Sequence, residues 1–156
     1  MRLPILAAAL CLPALAAHAQ WQRGEQPDAA GRPQRFIATA ATAFVTEQGN
    51  TIQARAQLRV LADMVVLANG DGHICADPKR PVQVKLQADD GPLLTVSAAA
   101  VLPGGRSLQL DRRAEAAVLA ARASLVVETL DSCWAKSEMR FDATGLPETI
   151  GHARPR

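Results

Sequence analysis

Cys75 and Cys133 are the residues of this sequence best suited to covalent chemistry. A redox-active pair is usually spaced C-x-x-C, where a short loop and a helix terminus lower one thiol's pKa. These two lie far apart in the chain, so they read as a structural disulfide of an oxidising compartment. Closing so long a loop stabilises a fold by about 4 kcal/mol in the chain-entropy model.

The densest polar stretch is NGDGHICAD, residues 69–77. A calcium loop of the EF-hand kind needs acidic or amide side chains at its first, third and fifth positions, Gly at the sixth and Glu at the twelfth. Asn69 and Asp71 fit, but His73, Ile74 and Arg80 occupy the other three positions. The stretch therefore predicts a hairpin turn leading into a strand that carries Cys75. Zinc needs three or four convergent ligands. With the cysteines bridged, His73 and His152 do not supply such a set. No serine stands in a G-x-S-x-G turn. Asp89 and Asp90 are adjacent in a Gly-Pro turn and read as solvated. The expectation is a protein that is not an enzyme, with no catalytic residue, cofactor or metal.

Binding chemistry is the remaining class. Arg55, Gln57 and Arg59 alternate with apolar residues, which gives one strand a polar face suited to an acidic partner. Arg55 and Arg59 are the candidate contact residues. Trp134, beside Cys133, is expected to pack against the disulfide. Three Phe, two Trp and no Tyr give little stacking surface for bases or sugars. The formal net charge is +2, falling to +1 if Arg2 is removed with a leader, so nothing electrostatic calls for nucleic acid.

The elements that must position these residues begin after an export signal. Arg2 precedes an apolar run over residues 3–17 that ends in Ala17-His18-Ala19, the small-x-small pattern of signal cleavage. The run falls short of the roughly 20 residues that span a bilayer core as a helix. Residues 1–19 are read as a signal peptide cut between Ala19 and Gln20, which discards Cys11 and leaves an even pair of cysteines. Residues 20–35, with two Pro and two Gly, read as a flexible leader.

From Phe36 the chain turns β-rich. FIATAATAFVTE and the strictly alternating residues 52–60 flank the turn Gln48-Gly49-Asn50 and predict a hairpin. Val82, Val84 and Leu86 alternate with polar residues; residues 64–68, 93–102, 107–110, 125–130 and 133–141 complete the strand set. Asp111 is placed to cap a helix over residues 112–123. Frequent turn signals between short strands predict a mainly β fold, an antiparallel sandwich or small barrel with one short helix. It occupies residues 36–150 as a single domain, with a disordered tail at 151–156. The stretch AAAVLPGGRSLQLD, residues 98–111, resembles a segment of the invasion-associated locus B family of small exported bacterial proteins. The stretch carries no chemistry, and no function follows from it.

The sequence thus predicts a periplasmic or secreted accessory domain that binds another macromolecule, a periplasmic or envelope protein. The alternative is a small-ligand-binding barrel or sandwich.

Overall fold

The computed structural model describes residues 21–28, 30–69, 75–77, 79–101, 107–133 and 135–155. The signal-peptide expectation, with its Ala19–Gln20 cleavage point, lies outside these residues, as do His73 and Trp134. Nine strands are described: β1 (Gln22–Pro27), β2 (Pro33–Glu47), β3 (Asn50–Leu61), β4 (Val65–Asn69), β5 (Val82–Ala88), β6 (Leu94–Val101), β7 (Ser107–Leu110), β8 (Ser124–Leu130) and β9 (Lys136–Asp142). The helices are α1 (Arg112–Ala120) and α2 (Leu146–Thr149), the latter followed by a 3-10 turn (Ile150–His152).

The strand order is β1-β2-β3-β4-β7-β6-β5-β8-β9, all neighbours antiparallel, and β2 also pairs with β9. Of the two expected forms, the fold is therefore the barrel: eight strands close, and β1 is an extra strand. The length of β2 makes this possible. Its 15 residues pair with β3 on one side, and on the other with β1 (residues 33–38) and then β9 (residues 43–46). The β2–β3 turn is two residues, Gln48 and Gly49, with φ of 49° and 84°. Positive φ at both positions suits the twist of a two-residue hairpin, and glycine takes the second without steric cost.

Period-two patterning decides which side chains fill the barrel. Ala54, Ala56, Leu58 and Val60 of β3 are buried, as are Val82, Val84 and Leu86 of β5. They join Ile37, Leu67, Leu108, Leu125, Val127 and Phe141 in one apolar cluster. Arg55, Gln83, Lys85, Lys136, Glu138 and Arg140 stand exposed on the outer wall. Membrane-spanning barrels have the inverse arrangement, apolar outside and polar within. Among the described residues, no helix is long and apolar enough to cross a membrane.

Helices close one end of the barrel. The Asp111 carboxylate accepts from the Ala114 amide at 2.8 Å and caps α1, whose Ala114 and Val118 are buried. The helix stops at Ala120, before the expected residue 123. Asp89 takes the amides of Arg122, Ala123 and Ser124 at 2.8–3.0 Å and draws the chain out of the helix into β8.

Two expectations about the termini are corrected. Residues 22–27 of the expected leader form β1, and Trp21 before it is 7% exposed, packed in the core cluster. The signal missed was Gly24. It pairs with Phe36, and the Phe36 ring lies where a Cβ on Gly24 would stand. The expected disordered tail is held as well. Arg154 donates from Nε to the Leu61 carbonyl at 2.8 Å and meets buried Glu115 at 2.8 Å, while Ala153 is buried. A half-buried guanidinium that shields a buried carboxylate is costly to release.

Candidate functional site at the disulfide end of the barrel

The strand registers gather, at the end opposite the helices, the β2–β3 turn, the finish of β4, β6 and β8, and the start of β5, β7 and β9. Cys75 and Cys133 are joined there, with Cα atoms 5.7 Å apart, as the sequence predicts. Of the strand expected around Cys75, residues 75 and 76 lie in no strand and residues 73–74 fall outside the described residues; β4 pairs with β7.

Asp131 organises this rim. It is 6% exposed, and its carboxylate accepts from the amides of Cys75 (3.0 Å), Cys133 (2.9 Å) and Ala135 (2.9 Å). Its own amide donates to the Ala135 carbonyl at 3.1 Å. These bonds hold Ala135 against Asp131, so β9 begins at Lys136 rather than at Cys133. Ser132 continues the docking: its amide donates to the Cys75 carbonyl at 2.9 Å, and its hydroxyl accepts from the Asp77 amide at 3.1 Å. In the sequence Asp131-Ser132 shows only as a turn. The missed signal is an Asp two residues before a cysteine, a spacing at which Asp commonly accepts from the backbone ahead of it.

The β2–β3 turn and the first residues of β3 form an arm at the same rim, since β3 meets β4 only from Ala56, while β2 stays paired with β9 from Ala43 to Thr46. Phe44 is 49% exposed on its outer face, and Ile52 is 46% exposed on the face shared with buried Val45. The hydroxyls of Thr46 and Thr51 are 2.9 Å apart and link the two strands near the tip. A shallow cleft of about 300 Å³ is lined by Val45, Glu47, Gln48, Asn50 and Ile52. Phe44 could have been singled out from the sequence, because it stands out of phase with the inward pair Ala43 and Val45.

The two candidate contact residues have different surroundings. Arg59 is half-buried. It donates to Gln57 at 2.6 Å and to Gln26 at 3.1 Å, and its guanidinium sits 5.4 Å from the centroid of the Phe36 ring. Its hydrogen bond to Gln26 fastens β1 to the barrel wall, and its cation–π contact with Phe36 of β2 holds the guanidinium in place. Arg55 is exposed on the outer face of the arm.

Asp89 is not the solvated residue expected of its turn. The amides of Ser124, Ala123 and Arg122 hold its carboxyl below the ordinary value of 3.8. Its neighbour Asp90 is exposed. His152 lies in the 3-10 turn at the helical end, away from the disulfide. Among the described residues, no group of three or more His, Cys, Asp or Glu side chains is arranged to hold a metal ion. Comparison with protein-family models, curated proteins and solved structures yields no match to the chain. The resemblance over residues 98–111 therefore gains no support, and the site must be read from its own chemistry.

Proposed function

We propose that this protein is a non-catalytic binding domain of the periplasm or cell exterior, and that the β2–β3 arm contacts a macromolecular partner. The observation that carries this reading is the exposure of two large apolar side chains, Phe44 and Ile52, on opposite faces of one hairpin. Both sit at the end of the barrel that the helices leave uncovered. Binding residues concentrate on loops and tips that a rigid scaffold holds out. Large apolar anchors supply most of the energy of a protein interface, with polar neighbours at its rim. Arg55 is placed to serve as such a rim residue for an acidic partner.

The filled interior favours an external contact over a ligand inside the barrel. Leu58, Leu67, Leu86, Leu108 and Leu125 are each at most 1% exposed within it. The disulfide supports residence in an oxidising compartment.

The test is photo-crosslinking in the native cell, with a photoreactive residue placed singly at Phe44, Ile52 or Leu93. Leu93 is 61% exposed and precedes β6 at the helical end, so it serves as the control. The expected result is one discrete adduct, common to Phe44 and Ile52 and missing from Leu93. Equal labelling at all three positions, or an adduct from the Phe44 probe that survives Ile52→Asp, refutes the proposal.

A further inference from the structure

The disulfide joins two segments that are already docked to each other without it. Three hydrogen bonds link residues 75–77 to residues 131–132: the Cys75 amide to Asp131, the Ser132 amide to the Cys75 carbonyl, and the Asp77 amide to the Ser132 hydroxyl. None of them involves sulfur. Cys75 itself lies outside the strand ladders. β4 and β5 are separated in the sheet by β7 and β6, and Cys75 lies on the chain between β4 and β5. Its bond to Cys133 ties that connection to the turn between β8 and β9. The barrel closes through its strand ladders and needs no sulfur bridge to do so. The two residues are unequally exposed: Cys133 is exposed and Cys75 half-buried.

We propose that Cys75–Cys133 is an exchangeable thiol pair, opened by an external dithiol at Cys133 and reclosed without unfolding of the barrel. The chemistry is ordinary thiol–disulfide exchange. One thiolate of the dithiol attacks Cys133 Sγ, the Cys75–Cys133 bond breaks, and Cys75 leaves as a thiolate that takes up a proton. The second thiol of the dithiol attacks the mixed disulfide and releases Cys133. The protein gains two electrons and two protons, and the dithiol becomes its own disulfide. The Asp131 and Ser132 contacts hold Cys75 in place throughout, so an oxidised dithiol can reverse both steps. The redox state then decides whether the β4–β5 connection is covalently tied at the rim that bears the arm. This inference does not depend on the identity of any partner.

The experiment uses the full exported chain, oxidised, in buffer without denaturant. Dithiothreitol opens the bridge while near-UV circular dichroism follows packing and mass-tagged alkylation counts thiols. The reductant is then removed and oxidised glutathione added, and the effective molarity of reclosure is measured. The expected result is opening with native packing retained. Reclosure should show an effective molarity at least about tenfold above the mM range of ends joined by a flexible linker. Ser132→Ala should lower that value several-fold, and Asp131→Asn should lower it further. In a short pulse with reduced glutathione, the trapped adduct should map to Cys133. Loss of native packing on reduction, an adduct on Cys75, or unchanged reclosure in Ser132→Ala would each overturn the proposal. Ser132→Ala keeps the test decisive if Asp131→Asn does not fold.

Discussion

Replacing Asp131 is the sharpest test of how the disulfide end is built. The carboxylate accepts three amides at 2.9–3.0 Å from a position 6% exposed. Hydrogen bonds to a charged group contribute about 1.5–3 kcal/mol each. Water replaces the partner of the Cys75 and Cys133 amides at low cost, because both are only partly buried; the Ala135 bond is fully buried. Asp131→Ala should therefore destabilise by about 3–4 kcal/mol, less than the sum of three bonds. Asp131→Asn is more selective. With its carbonyl at the Oδ1 position it keeps the bonds to Cys133 and Ala135, but its NH₂ then faces the Cys75 amide, donor against donor. About 2 kcal/mol is the expected loss. At an unfolding entropy of about 2.1 cal/mol/K per residue, these losses lower Tm by about 10–14 °C and about 7 °C. Urea unfolding of the oxidised proteins should give the same order through a lower midpoint at constant slope. Equal losses in the two variants would refute the acceptor geometry, and a fall below about 1 kcal/mol in Asp131→Ala would refute the role itself.

Two further perturbations probe the rest of the barrel. Gly24→Val should destabilise by about 1–3 kcal/mol, because its Cβ would stand 2.3 Å from Phe36 Cζ and force the ring from beneath Arg59; Phe36→Ala in the same chain should recover part of the loss, and Tm measurements that show no recovery refute the contact. Asp89 has a folded pKa below its ordinary value of 3.8, so its contribution is complete above that value and is lost as pH falls through the lowered one. Tm measured down to about pH 2 should therefore drop less steeply below about pH 4 in Asp89→Asn than in the parent, and identical acid limbs would contradict the three-amide clamp.

Local patterning carried most of the fold into the sequence, and long-range partnership carried the rest away. Residues 52–60 alternate strictly, and that alternation sorts Ala54, Ala56, Leu58 and Val60 inward and Arg55, Gln57 and Arg59 outward. The same pattern makes Arg55 and Arg59 equivalent. They differ only because β1 lies beside the first half of β2, where Gln26 and Phe36 engage Arg59. A polar, glycine-containing strand at a sheet edge has no periodic signature of its own, so β1 reads as a leader. The tail reads as frayed for a related reason. Arg154 finds its partners at Leu61 and Glu115, far from it in sequence. The cysteine pair was legible because covalent chemistry restricts a cysteine's partners far more than hydrogen bonding restricts an aspartate's. Asp89 and Asp131 had the same local context of a turn, and neither sequence neighbourhood names the amides they collect.

Those two aspartates also divide the molecule into a rigid side and an adaptable one. β8 runs from the Asp89 clamp on residues 122–124 to the Asp131 clamp on residues 133 and 135. It pairs with β9 along one edge over its whole length and with β5 along the other over Leu125–Leu130. β3 is held differently: its pairing with β4 begins at Ala56, and its first residues belong to the arm. Amides open by local fluctuation most readily where backbone hydrogen bonds are solvent-exposed and buried contacts are few. Hydrogen exchange should therefore proceed through global unfolding at Val126 and Glu128, and at least about 2 kcal/mol more readily at Asn50 and Ile52, whose amides face β2 across the two-residue turn. Equal protection would mean that the arm is as rigid as the wall. It would then have to meet its partner as a fixed surface, and Phe44 and Ile52, which face opposite ways, could not both seat in one flat interface. Faster exchange at the arm leaves it able to adjust around a partner while β8 keeps the disulfide rim in place.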